Sequence, residues 1–236
     1  MTVQQSELKF FRSVAVTNTT TNGGTVDSIE VTANNVFPPV SQAERTAGVI
    51  RLRKVFAKIV NASSLSLIDT HIFLERGTPG GDRVTLHAGT PIDVQGDLTG
   101  GEHLYGIGTL HADVSAGATS LVVDTESTDV IFTNGELIRV SSQDGVDDQT
   151  GKEDWVRLAN PGGVSWNGSQ ATLTFLYGSM LANDYLATNT RVASCYEVGT
   201  IPTATPKGFW LKQTVPAGTQ SISANSFRVG VSGASA

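Results

Sequence analysis

Four histidines, His71, His87, His103 and His111, are the side chains of this sequence best suited to metal or proton chemistry. Their spacing matches no zinc motif, and no two stand four apart as a helical pair would. His71 and His87 fall in segments that read as strands. A cross-strand metal pair there competes with the plainer reading of surface or partly packed side chains. The acids crowd most densely at Asp144, Asp147, Asp148, Glu153 and Asp154. Loop carboxylates of this kind can hold Ca²⁺. The EF-hand order is missing, because Gly145 follows Asp144 directly and no bidentate glutamate stands in register. A solvated loop between two strands is the simpler reading. Asp93 with Asp97, or Glu136 with nearby acids, could form a glycosidase carboxylate pair. A chain with 22 acids offers many such pairs, so the pairing carries no weight.

Two glycine motifs fail for want of context. Gly163-Val164-Ser165-Trp166-Asn167 lacks the last glycine of a nucleophile elbow and sits among hairpin signals. Gly106-Ile107-Gly108 is half a dinucleotide fingerprint with no helix after it. Both read as structural glycines. Cys195 is the one cysteine. It can form no intrachain disulfide and no thiolate cage, and reads as a small buried apolar residue. Trp155, Trp166, Tyr177 and Tyr185 could bind a sugar or a protein if exposed. Core filling is the plainer reading. No catalytic residue, no cofactor-binding residue and no metal ligand is assigned, and a non-enzymatic protein is expected.

The elements that must position these residues are almost all strands. Segments alternate apolar and polar with period two and are punctuated by Gly, Asn and Pro. Leu52–Val60 reads as a central strand buried on more than one side, because Phe56 and Val60 break its alternation. Ser66–Glu75 follows across a polar turn at 61–64. Arg83–Ala88 follows the tight turn at Thr78-Pro79-Gly80-Gly81-Asp82. A second cluster begins near Leu104. It holds strands at 119–124, 136–140, 155–159, 164–166, 171–176 and 190–196, with a hairpin signal at Thr133-Asn134-Gly135. The strands at 208–215 and 226–231 follow the prolines at 202 and 206.

Two C-terminal strands cannot stand alone. They need the sheet formed by the first cluster. The sequence therefore predicts an all-β fold: a discontinuous Ig-like β-sandwich, residues 44–98 plus 200–233, with a small β-barrel or sandwich domain, 104–198, inserted in a loop. One continuous sandwich is the alternative. Residues 1–43 are polar and turn-rich, with Pro38 and Pro39 blocking a helix. They read as an extended N-terminal arm lying on their own domain or on a neighbour's. Removing the arm is expected to weaken assembly more than it lowers the melting point.

The bulk numbers narrow the function. The chain has 236 residues, 39% of them apolar, enough for one or two cores. Charged residues are 16%, against about a quarter in typical soluble proteins. The surface must be built from Thr, Ser, Asn, Gln and Gly, as in particle-forming or extracellular β proteins. The net charge of −6 and the absence of a basic block beyond Arg51, Arg53 and Lys54 argue against a nucleic-acid partner. No segment reads as a signal peptide or a membrane span, so synthesis in a reducing cytoplasm is expected.

Some stretches look familiar. Asn35-Val36-Phe37-Pro38, then Val40-Ser41-Gln42-Ala43-Glu44-Arg45-Thr46-Ala47-Gly48 and Arg53-Lys54-Val55-Phe56, resemble virion structural proteins of tailed bacteriophages. So does Phe209-Trp210-Leu211-Lys212-Gln213-Thr214-Val215-Pro216-Ala217-Gly218-Thr219. In those proteins the Arg-Lys-Val-Phe strand and the Trp-Leu hairpin look like parts of one Ig-like domain. The middle stretch, Ala116–Val123 and Asn134–Val140, is similar to a β-barrel pattern recurring in phage particle proteins. The resemblance implies a homo-oligomer in the virion, made in the host cytoplasm, whose partners are copies of itself and neighbouring virion proteins. It implies a tail position (tube, baseplate or tail tip), with capsid decoration or a carbohydrate- or receptor-binding module as alternatives.

Overall fold

The structure is a computed structural model and describes residues 2–32, 36–142, 151–221 and 225–236. Its first layer is a five-stranded antiparallel sheet. β1 (Leu8–Ala15), β2 (Gly23–Glu30), β3 (Val49–Ile59), β5 (Arg83–Ala88) and β13 (Lys207–Val215) lie in the order β2-β1-β3-β13-β5. β3 and β13 form its centre, with nine residues of each in register from Lys207↔Ala57 to Val215↔Val49.

The second sheet has nine strands. β4 (Leu67–Arg76) pairs with β14 (Arg228–Ser235) on one edge and with the distal half of β12 (Thr190–Ile201) on the other. The proximal half of β12 pairs with β6 (Ile107–Leu110) and β8 (Leu137–Ser142). β7 (Ser120–Asp124), β9 (Glu153–Arg157), β10 (Val164–Asn167) and β11 (Gln170–Thr174) complete it. The two antiparallel sheets form a sandwich, and neither closes into a barrel. The one α-helix among the described residues, α1 (Gln42–Ala47), is six residues long. Ser41 starts it with a capping box: Ser41 Oγ accepts from Glu44 N, and the Glu44 carboxylate accepts from Ser41 N.

Apolar burial divides into two large clusters. One joins Val55, Ala57 and Ile59 to Ile72, Leu74, Leu86, Phe209 and Leu211 between the two sheets. The other joins Val123, Ile138, Val140, Val156, Leu173, Tyr185 and Val192 within the inserted stretch. A small third cluster, Phe73, Ala193 and Cys195, lies where β12 passes from one to the other, with Trp155 packed against it. β12 therefore belongs to both parts, and the border expected at 198–200 falls inside it.

The N-terminal stretch departs from the extended arm read in the sequence. Residues 8–15 and 23–30 are paired strands of the five-stranded sheet, and β1 runs in register with β3 from Leu8↔Ile59 to Arg12↔Val55. Leu8 and Phe10 pack on the core and Phe10 meets Phe209 edge-on at 6.1 Å. The Thr/Asn-rich run that suggested an arm is the loop between these strands. Residues 36–41 have no regular structure and lead into α1.

Candidate functional site

The burial of β3 on both faces has a polar cause. Lys54 is fully buried, and its ammonium donates to the Gly24 and Asp93 carbonyls, both at 2.8 Å, and meets Asp93 Oδ1 at 2.5 Å. Asp93 Oδ2 accepts from Trp210 Nε1 at 2.7 Å, and Thr90 N and Oγ1 donate to Oδ1 at 3.0 Å. All three ammonium protons have acceptors. Burial pushes the Lys54 pKa down. Burial alone would raise Asp93, but the hydrogen bonds from Lys54 and Trp210 hold its carboxyl below the usual range. The loop at 90–97 is thereby clamped over the outer face of β3 and β13. Gln95 N and Gly96 N bond to the Asn22 and Thr20 carbonyls, which extends the cover to the β1–β2 loop. Gly23 fits beneath because it has no Cβ, which would stand 2.7 Å from the Trp210 ring. His87 stacks on the same ring at 6.1 Å, and burial lowers its pKa. The group is a structural clasp in which the Lys54 ammonium and the Trp210 N–H both have acceptors.

The opposite face of the five-stranded sheet leaves a cavity of about 600 Å³ between the sheets. Phe10, Phe209 and Leu211 line it from one sheet and Phe227 and Val229 from the other side, and residues 36–40 also line it. Its polar end holds Asp82, which is buried and accepts from Gln213 Nε2 at 2.9 Å and from Asn225 Nδ2. Arg45 and Arg228 complete its charged lining. Arg51, beside it, donates to the Pro38 carbonyl at 2.7 Å and to Glu44 at 2.6 Å. Hydrogen bonds from Ser41, then Arg51, lower the Glu44 pKa to about 2. The described lining has no His, Cys or Lys, and its chemistry is that of an apolar receptor with a polar end.

The histidines stand apart from one another. His71 lies 3.8 Å from Glu197 and against Trp155, and burial lowers its pKa. His103 abuts Glu136 and meets Tyr105 edge-on. His111 pairs with Asp124 at 2.8 Å. Among the described residues no three His, Cys, Asp or Glu side chains converge as a metal cage would require. Of the acidic run, Asp144, Asp147 and Asp148 lie outside the described residues. Glu153 pairs with Arg139 at 2.8 Å, and Asp154 accepts from the backbone of Ala182 and Asn183 and from the Tyr185 hydroxyl. Asp93 is held in the clasp, while Asp97 and Glu136 accept from the backbone N–H of Val94 and Thr133.

The glycine motifs serve packing. A Cβ on Gly108 would stand 2.4 Å from Val123, one on Gly106 2.9 Å from Ile131, and one on Gly163 2.2 Å from the Ala159 carbonyl. Burial raises the Cys195 pKa far above that of a reactive thiol.

The four aromatics separate. Trp155 meets Phe73 edge-on at 5.3 Å, Trp166 stacks on Phe132, and Tyr185 is buried. Tyr177 is fully exposed at the tip of a turn, flanked by the exposed Leu176 and Met180. Ser179 N closes that turn on the Leu176 carbonyl at 2.8 Å, and Gly178 supplies φ 85°. A Tyr-Gly pair at the centre of a type II turn is the sequence signal that places this tyrosine outside.

Compared with known proteins, the chain matches no family model, no curated protein and no solved structure.

Proposed function

We propose that this chain is a non-enzymatic structural component of a tailed-phage particle that works through contacts with copies of itself and with neighbouring virion proteins. The observation that carries the reading is the pairing of two stretches that share the resemblance. Arg53-Lys54-Val55 and Phe209-Trp210-Leu211 lie side by side at the centre of one sheet, with Trp210 opposite Lys54 and Phe209 opposite Val55. Sequence pieces far apart in the chain thus form one module, the arrangement the resemblance implies. The low charge and Thr/Ser-rich surface fit repeated packing between subunits. A tail position is favoured, because sandwich domains carrying an inserted β domain suit rings; capsid decoration is the alternative within the particle.

The test is mass spectrometry and immunogold labelling of purified particles from cells expressing the sequence in its phage context. Peptides of this chain at tens of copies per particle, with label on the tail, are expected. Particles that lack the chain would overturn the reading. The exposed Tyr177 favours one second reading, a carbohydrate- or receptor-binding module. In that case the isolated protein would bind host cells or their surface glycans, and Tyr177→Ala would abolish the binding.

A further inference from the structure

Asparagine is followed by glycine at Asn22-Gly23, Asn134-Gly135 and Asn167-Gly168. In such a pair the glycine nitrogen can attack the asparagine side-chain amide, because no Cβ shields it and the backbone turns freely. The fold treats the three pairs differently. Asn22 is fully buried, its Nδ2 donates to the Leu52 carbonyl at 2.9 Å and to Gln95 Oε1 at 3.1 Å, and its Oδ1 accepts from Thr17 N at 3.3 Å. Asn134 Oδ1 accepts from Val164 N at 2.9 Å, and the Gly135 N–H donates to the Ala159 carbonyl at 3.1 Å. Asn167 is exposed at the tip of the β10–β11 hairpin. Neither its side chain nor the Gly168 N–H has a hydrogen-bond partner among the described residues. Asn167↔Gln170 is the pair that closes the hairpin, and β10 is the outermost strand of its sheet. Only that pair has to open for the Asn167 backbone to turn, and terminal pairs open at little cost. The other two sites are held by segments distant in sequence.

We infer that Asn167 is a self-modification site, the residue at which the folded protein converts spontaneously to aspartate and isoaspartate. The Gly168 nitrogen attacks Asn167 Cγ and forms a new C–N bond. The Cγ–Nδ2 bond breaks, and Nδ2 leaves as ammonia with the proton that the Gly168 nitrogen gives up. The product is a cyclic imide spanning Asn167 and the Gly168 nitrogen. Water adds to one of its two carbonyls and opens the ring. Breaking the new Cγ–N bond leaves aspartate, and breaking the original peptide C–N bond leaves isoaspartate. Water is the one co-reactant. The new carboxylate lies across from Gln170, which itself lies across from Asp124. Gln170 Nε2 donates to Asp124 Oδ1 at 2.9 Å, and His111 pairs with Asp124 Oδ2 at 2.8 Å. The modification therefore places a second carboxylate in a cross-strand row that already carries one. In the isoaspartate form it also lengthens the backbone at the turn that sets the hairpin register. The change needs no partner and is independent of the particle role.

The experiment is peptide mass spectrometry on the full chain after incubation at mildly alkaline pH in heavy-oxygen water, which marks each newly made carboxylate. One sample is kept folded and a second is held in guanidinium chloride. The three asparagines fall in separate tryptic peptides, ending at Arg45, Arg139 and Arg191 in chain order. In the folded chain Asn167 is expected to convert at least about tenfold faster than Asn22 or Asn134, because a protected site reacts only from an open state that is populated a tenth of the time or less. In guanidinium chloride the three sites are expected to convert at similar rates, which assigns the difference to the fold. Asn167→Gln, an exposed change at a hairpin tip, is expected to leave the peptide ending at Arg191 unlabelled. Folded-state conversion of Asn22 or Asn134 as fast as Asn167 would overturn the inference. So would an Asn167 that stays intact in the folded chain while the unfolded chain converts, or label that persists in the Asn167→Gln peptide.

Discussion

Lys54 shows how a single residue organises one side of this protein. An ammonium without exposure is tolerated only because it has three acceptors and a carboxylate within reach. The two halves of the pair are therefore unequal under mutation. Asp93→Ala strands a buried cation and also removes the partner of Trp210 Nε1, so a loss of about 3–5 kcal/mol is expected. Lys54→Met keeps the volume and leaves Asp93 bonded to Trp210 and Thr90, so its loss should be the smaller. Guanidinium denaturation of both variants checks this order, and an equal loss would mean that the clasp does not depend on the charge. Acid should act through the same class of group. Glu44 is shifted from 4.5 to about 2 in the folded chain, and Asp93 is lowered from 3.8. A depressed carboxylate stabilises the fold above its unfolded value and loses that contribution as pH falls through its folded value. Stability should thus be flat in these groups above about pH 5 and fall between about pH 4.5 and 2. Urea midpoints at pH 7, 5 and 3 measure the slope, and Glu44→Gln should flatten part of it.

At the scale of elements, the strands at the centre of the sandwich were legible because their period is local. β3, β4, β5 and β13 all fall within a residue or a few of the segments read from alternation and turn residues. β1 and β2 were not. Their polar, Gly-containing neighbours dominate the composition of residues 1–43, and the pairing that makes them strands is with β3, some 50 residues away. The consequence changes the expected effect of removing them. Deleting residues 2–32 takes two strands from the sheet and uncovers Val55, Phe56 and Phe209. A loss of about 4 kcal/mol would lower Tm by about 8–16 °C. Calorimetry decides the point, and a truncated chain that melts like the full one would restore the arm as a separable tie between subunits. α1 was also missed, although Ser41 and Glu44 already stood in the order of a capping box.

At the scale of the whole molecule, two cores are joined by a shared strand and by the aromatic packing of Trp155 on Phe73 and His71 beside it. β12 runs from the inserted cluster into the sandwich, and Trp155 seats on Phe73 beside Arg139, whose guanidinium lies 5.1 Å from the Phe73 ring. Trp155→Ala should cost about 2 kcal/mol, less than a fully buried tryptophan, and should uncouple the two cores. Two resolved transitions in a thermal scan are expected where the wild type shows one. A single transition in the variant would mean that β12 and the remaining contacts across it make the cores unfold together without Trp155.

What the sequence determined by itself is the class of structure and the punctuation along it. Period-two alternation, β-branched residues and Gly/Asn/Pro turns specify strands wherever they occur, and the low charge specifies a surface of small polar groups. Tyr177 was read with the core aromatics, although the Tyr177-Gly178 pair carried the local signal of the exposed turn the structure shows. What only the tertiary structure decided is which strands meet and what covers them. The cover over Lys54 comes from loop 90–97, some 40 residues on, and the strand read over 190–196 runs on to Ile201 because β4 pairs with it there. The cavity follows from the distance between two sheets built from both ends of the chain. Local pattern fixes the conformation of each segment, whereas the desolvation that buries a cation or leaves a space open depends on contacts between residues far apart in sequence.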